Sequence, residues 1–182
     1  QYGTNSQNQT DFIKAKNTPL DDAPLVILVT GGGLVRWTQE ASLRGMANHF
    51  AKRGYAAAIV KHRIINNPGN EISDEVYVDA WAKALLDVFT AIRFYKENAT
   101  DFGIDPNRII IGGWSTGAVV ALKAAFLTEE KLENSDLIIS TELRPAFDNI
   151  GGMYGDMYPD QTNEVAGLLA LMPCTWEIDI ID

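Results

Sequence analysis

The sequence predicts an α/β protein in one domain, with a mostly parallel sheet and helices on both faces. Three observations predict it. Apolar runs of strand length occur at residues 25–29, 55–60 and 109–111, as expected of strands covered on both faces. Segments of helical periodicity lie between them, at residues 38–53 and 74–98. Glycine-rich turns follow the first and third runs, at Gly31, Gly32 and Gly33 and again at Gly113 and Gly117. Strands that alternate with helices in this way require crossover connections and a parallel sheet. A chain of 182 residues fits one such domain.

Taken in order, residues 1–9 are polar and predicted to be loosely ordered, and residues 10–15 read as a short edge strand. A turn-rich connection at 17–24 leads into the Leu-Val-Ile-Leu-Val run at 25–29, the best central strand. In the helix at 38–53, Leu43, Met46, Ala47 and Phe50 share one face. Glu40 lies near its start, Lys52 and Arg53 near its end, and Gly54 stops it. The strand at 55–60 ends in Lys61, His62 and Arg63, at the sheet edge where open parallel sheets bind ligands. A surface loop at 66–70 precedes the long helix at 74–98. There Val78, Trp81, Leu85, Val88, Phe89, Ile92 and Tyr95 recur at core spacing. Residues 103–107 form a turn. After the third strand, an apolar helix covers 117–127. Residues 128–160 are mixed and unassigned, with a glycine-bearing loop at 151–160 expected near the sheet's rim, and 165–171 reads as one more strand.

Composition narrows the function. A formal net charge of −9 excludes a sequence-independent grip on nucleic acid, which needs a basic surface. No apolar run is long enough to span a membrane. The single cysteine, Cys174, cannot form an internal disulfide and reads as a small buried residue. The acidic residues show no metal-ligand spacing. No cofactor or metal is expected. A chain that begins at Gln1, with glycosylation triplets at Asn8 and Asn98, leads to an expectation of a secreted or periplasmic protein.

The chemistry concentrates at residues 108–120. Ile109, Ile110 and Ile111 form a buried strand, Gly113, Ser115 and Gly117 make a Gly-x-Ser-x-Gly pattern, and an apolar helix begins at Ala118. Strand, sharp turn and helix are the setting of a nucleophile elbow. Such a turn lifts the serine oxygen to the rim of the sheet at a helix N-terminus, where developing negative charge is favoured.

Three stretches in matching order carry a resemblance: residues 24–33, ending in three glycines, residues 87–107, and residues 108–117. Together they resemble the α/β-hydrolase superfamily, most closely its carboxylesterase and acetylesterase branch with the hormone-sensitive-lipase-like enzymes. The resemblance covers residues 24–125, and the remainder matches only loosely. It implies an α/β-hydrolase-like sheet, incomplete at its C-terminal side. It also implies a serine hydrolase acting on short acyl esters or acetylated or feruloylated sugar esters through an acyl-enzyme on Ser115. By the same resemblance, the amides of Gly32, Gly33 and Thr116 form the oxyanion hole. The partner is then a small-molecule ester. Either a second copy or a further C-terminal segment is expected to complete the sheet edge.

Two departures stand out. Thr30 replaces the histidine that precedes the family's glycines, a residue that shapes the loop rather than doing chemistry. More important, the superfamily places its triad in the order serine, acid, histidine, whereas His49 and His62 both precede Ser115. Asp148, Asp156, Asp160, Glu177, Asp179 and Asp182 follow the serine, and none is singled out as its acid. Three readings stay open: a base in a segment beyond Asp182, a non-catalytic binding protein on the same fold, or a rewired site that uses His62 at the active-site rim.

Overall fold

Five consecutive aliphatic residues place 25–29 at the centre of the sheet, and the computed structural model has them fully buried there. The structure describes residues 1–15, 22–66, 72–133 and 138–171. Strand β2 (Ala23–Val29) pairs in parallel with β3 (Ala56–Lys61) on one side and β4 (Ile104–Trp114) on the other. An antiparallel edge strand, β1 (Gln9–Ile13), borders β3, and β5 (Gly167–Leu171) runs parallel to β4 at the opposite edge. The five-stranded order is therefore β1-β3-β2-β4-β5.

Because side chains alternate along a strand, β2 feeds two cores. Val26 and Leu28, with Ala57 and Ile59 of β3, meet Leu43 and Ala47 of helix α1 (Glu40–Ala51). Leu25, Ile27 and Val29 face the other way. There they join Leu85, Phe89, Ile92 and Tyr95 of α2 (Asp74–Glu97) and Val120 and Ala121 of α4 (Thr116–Phe126). Helices thus lie on both faces, as predicted, and the aromatic residues of the long helix are core. Burying each large apolar side chain contributes about 2 kcal/mol. Helix α2 starts where Ser73 accepts the Val76 amide, with Asp74 and Glu75 in the first turn. After Glu97 the chain makes the short helix α3 (Ala99–Phe102), which Gly103 ends at φ +67°.

Two expectations need correction. Residues 1–9 are not loose: Tyr2 is buried and its hydroxyl donates to the Lys61 carbonyl at 2.6 Å, while Asn8 is buried and accepts the Asn5 amide at 3.1 Å. One aromatic plug at the end of β3 suffices to order a polar segment. Within the first glycosylation triplet Asn8 itself is buried, and in the second Asn98 spends its side-chain amide on the Phe94 carbonyl at 2.8 Å. Second, the predicted turn at 103–107 lies mostly inside β4. Ala23 pairs with Ile104, the register shifts before Leu25, and Asn107 donates its amide to the Asp105 carboxylate at 2.8 Å. The turn residues serve as an irregularity within a long strand. The described part of residues 128–160, unassigned from sequence, contains helices α5 (Glu129–Glu133) and α6 (Ile138–Asn149), the latter with Pro145 inside it.

The loop predicted at 151–160 is present, and buried Arg93 of α2 holds it. Arg93 donates to the Met157 carbonyl at 3.0 Å, to the Asn163 side chain at 2.7 Å and to the Tyr154 carbonyl. Most of the predicted connection at 17–24, most of the loop at 66–70, Cys174 and the chain end at 176–182 lie outside the described residues. No helix among the described residues is long and apolar enough to cross a membrane.

The chain leaving β3 is tied to α2 by an ion pair. The carboxylate of Asp87, nearly fully buried, accepts the Arg63 amide at 2.6 Å and its Nε at 2.9 Å, and Nη2 lies 2.8 Å away. Removing one partner of such a pair leaves a poorly solvated charge. Asp87→Asn is expected to lower the unfolding free energy by about 2–3 kcal/mol, read from urea denaturation. A change below about 0.5 kcal/mol would mean that the pair does not hold this junction.

Candidate active site

The site begins with register. Val29 of β2 pairs with Gly113 of β4, so the two strands end side by side and the loops that follow them emerge together. From β4 the chain passes through Trp114 and Ser115 straight into α4. Ser115 takes φ 55° and ψ −125°, a conformation that costs about 1–3 kcal/mol in a non-glycine residue. Packing compels the turn to be this sharp. A Cβ on Gly113 would stand 2.4 Å from the backbone of Gly117, and one on Gly117 would stand 2.3 Å from the Val29 carbonyl oxygen. Both glycines of the motif are thus required by backbone contact. Ser115 is partly exposed, and its Oγ makes no hydrogen bond to any described residue.

The glycine loop packs against this turn. A Cβ on Gly31 would meet the Trp114 carbonyl oxygen at 2.4 Å. The loop closes on itself through the Thr38 amide to Gly31 O at 2.9 Å, and joins the β3 side through Trp37 Nε1 to His62 O at 2.9 Å and the Ile65 amide to Leu34 O at 2.7 Å. Thr30 is fully buried, with its amide on Val60 O at 3.2 Å, consistent with shaping the loop.

Of the three expected oxyanion donors, the amides of Gly32 and Thr116 have no partner among the described residues. Gly33 differs. Its amide donates to Thr116 Oγ1 at 2.9 Å. It is therefore not a free donor here, because the residue after the serine carries a hydroxyl within reach.

Neither histidine makes a hydrogen bond to Ser115. His62 follows β3 directly, at the same sheet edge, but β2 lies between β3 and β4. Two strand spacings amount to roughly 10 Å. His62 is also buried rather than exposed at a rim. Its Nδ1 stands 2.7 Å from the Arg63 carbonyl oxygen, so this nitrogen carries the proton, and Nε2 has no hydrogen-bond partner. Burial holds the imidazole below its ordinary pKa, against opposing contributions from the Arg63 carbonyl, the Asp87 charge and the Thr30 carbonyl. His49 is exposed in the last turn of α1. Since α1 runs back from the C-terminal edge of β2 to the start of β3, His49 lies at the opposite edge from Ser115. Asp148 is exposed beside Arg144 at 3.3 Å, and Asp156 and Asp160 are exposed in the loop after α6. Among the described residues no group of three or more His, Cys, Asp or Glu could hold a metal ion.

The chain is similar to known esterases in sequence and in fold. The family model described as BD-FAE matches residues 11–156. Esterase LipC of Mycobacterium tuberculosis is 24% identical over 154 residues, covering 85% of this chain and 35% of that protein. Isoprenylcysteine alpha-carbonyl methylesterase ICME of Arabidopsis thaliana is 34% identical over 122 residues, covering 66% of this chain and 25% of its own length. Among solved structures, the apo form of Thermogutta terrifontis esterase 2 superposes with a TM-score of 0.63 at 17% identity, over 94% of this chain and 53% of that one. Its propionate-bound form gives 0.62 at 18% identity. The fold is that of the α/β-hydrolases. The chain spans about a quarter to a third of these curated relatives and about half of the solved structures.

Two expected outcomes follow from the geometry. Gly117→Ala forces a methyl group into the Val29 and Thr30 carbonyls and is expected to lower stability by about 3 kcal/mol, measured by urea denaturation; a neutral result would contradict the close approach. For His62, the folded pKa lies below the unfolded value, so the unfolded chain binds more protons. Its contribution is complete above about pH 6.5 and is lost as pH falls, by up to about 1.4 kcal/mol per pH unit. Unfolding free energy should therefore drop more between pH 7 and 5.5 in the wild type than in His62→Asn. Equal slopes would remove His62 as the titrating group.

Proposed function

The chain belongs to the BD-FAE family, and from that premise we propose that it forms the nucleophile-bearing part of a serine esterase. Ser115 attacks the carbonyl carbon of a small carboxylic ester, the alcohol leaves, and water releases the acid from the acyl-enzyme. The observation that carries this reading is the strained turn at Ser115, with the amides of Gly32 and Thr116, which have no partner among the described residues. Acyl transfer puts negative charge on the carbonyl oxygen, and amides fixed in advance stabilise it by about 3 kcal/mol each. Short acyl esters are the proposed substrates. Solved structures of Thermogutta terrifontis esterase 2, which share this fold, have propionate and butyrate bound. Acetylated or feruloylated sugar esters remain within the same proposal, on the family resemblance alone.

A serine hydroxyl is a poor nucleophile near neutral pH without a base. Neither histidine hydrogen-bonds Ser115, and the base and its acid are placed outside the described residues. The same observation favours a second reading, a non-catalytic member of the fold that binds an ester-like ligand. A fluorophosphonate probe separates the two. The expected result is a covalent adduct mapped by mass spectrometry to Ser115, abolished in Ser115→Ala, together with turnover of p-nitrophenyl acetate. An adduct on another residue overturns the assignment of Ser115. No adduct in a protein comprising this chain and the remainder of a full-length relative's domain favours the binding reading.

A further inference from the structure

The side chain of Thr116 has no part in the reaction as proposed, where only its amide acts, yet it makes a singular contact. Its Oγ1 accepts the amide proton of Gly33, 83 positions away in the chain. Thr116 is buried, with 8% of its surface exposed, at the first position of α4 directly after Ser115.

What else holds Gly33 matters here. Gly31 is fixed by contact with the Trp114 carbonyl, and a Cβ on Gly32 would run into the Arg36 carbonyl oxygen at 2.0 Å. Around Gly33 a Cβ would meet nothing within 4 Å. Its glycine is needed for a φ of +65°, not for space. Trp37 and Leu34 anchor the loop to the β3 side only. Toward the elbow, the Gly33–Thr116 bond is the side-chain tie among the described residues.

We propose that the Thr116 hydroxyl is a positioning group that latches the glycine loop to the elbow helix, so that the free amides of Gly32 and Thr116 converge on one oxyanion site. The Gly33 amide is committed to the latch and does not bind the oxyanion. This rests on the Ser115 reading for its catalytic consequence, but the latch itself is independent of it. Serine at 116 can make the same bond. Valine, of nearly identical shape, cannot, and it leaves the Gly33 amide unpaired.

The test joins two measurements on a protein comprising this chain and the remainder of a full-length relative's domain. By amide hydrogen exchange in the wild type, Gly33 should be protected at least about tenfold relative to Gly32. Thr116→Val should abolish that protection, and Thr116→Ser should keep it. For Ser115, the second-order rate of fluorophosphonate labelling should fall at least about tenfold in Thr116→Val and recover most of that loss in Thr116→Ser. Gly33 exchanging as fast as Gly32 in the wild type overturns the latch, even if the valine variant fails to fold. A valine variant that labels at the wild-type rate, or a serine variant as slow as valine, overturns its catalytic consequence. Absence of labelling in the wild type rejects the Ser115 reading instead, and Gly33 exchange then decides the latch alone.

Discussion

The candidate site depends on one backbone-on-backbone contact, where the start of α4 rests against the end of β2. Gly117 lies so close to the Val29 and Thr30 carbonyls that no side chain fits between them. That contact sets how sharply the chain must turn between β4 and α4. It therefore places Ser115 in a backbone conformation that an unconstrained serine avoids. The same approach brings Gly31 onto the Trp114 carbonyl, so the loop after β2 and the turn after β4 form one unit. Neither would hold its geometry alone. The parallel register of β2 and β4 is what lets them meet.

Much of this was legible in the sequence, for a physical reason. Buried parallel strands need uninterrupted apolar runs, and close backbone approaches need glycine, so the central strands and both loops announce themselves by composition. The amphipathic faces of α1 and α2 were legible because a period of 3.6 leaves a clear stripe. What escaped depends on partners far away in sequence. Tyr2 is one aromatic in a polar segment, and its burial reflects a docking place on the end of β3 rather than any local pattern. Residues 138–149 form a helix with Pro145 inside it, a residue that argues against helix in any local reading. Arg93 is a charged residue yet buried. Its burial follows from three acceptors, at Tyr154, Met157 and Asn163, that only the folded loop provides.

Within the site, the division was similar. Ser115, Gly32, Gly33 and Thr116 were identified from spacing and resemblance, and the structure brings all four together at one sheet edge. The contact of the Thr116 hydroxyl is not legible in sequence, because an oxyanion hole is built from amides. No spacing rule signals that a side chain will occupy one of them. His62 illustrates the opposite error. Position after a strand is enough to put a residue at the right edge, but strand order decides which residues meet, and that order is not local. With β2 between β3 and β4, the strand that leads to His62 does not adjoin the strand that leads into Ser115.

That strand order also explains why a nucleophile and its donors can be assembled without a base. The elbow and the glycine loop come from adjacent strands, β4 and β2, and their geometry is fixed by contacts within the central sheet. A base must instead reach Ser115 from some other element that ends at the same edge. Helix α1 carries His49 away from that edge, and β3 delivers His62 to it already buried and with its proton committed to a carbonyl. The strain at Ser115, about 1–3 kcal/mol, is small against a sheet whose central strand is fully buried on both faces. The core can therefore hold the strained turn whether or not a base is present, and the shape of the elbow alone does not distinguish a catalyst from a binder. The state of the Ser115 hydroxyl does, because a base changes its reactivity without needing to change the backbone around it.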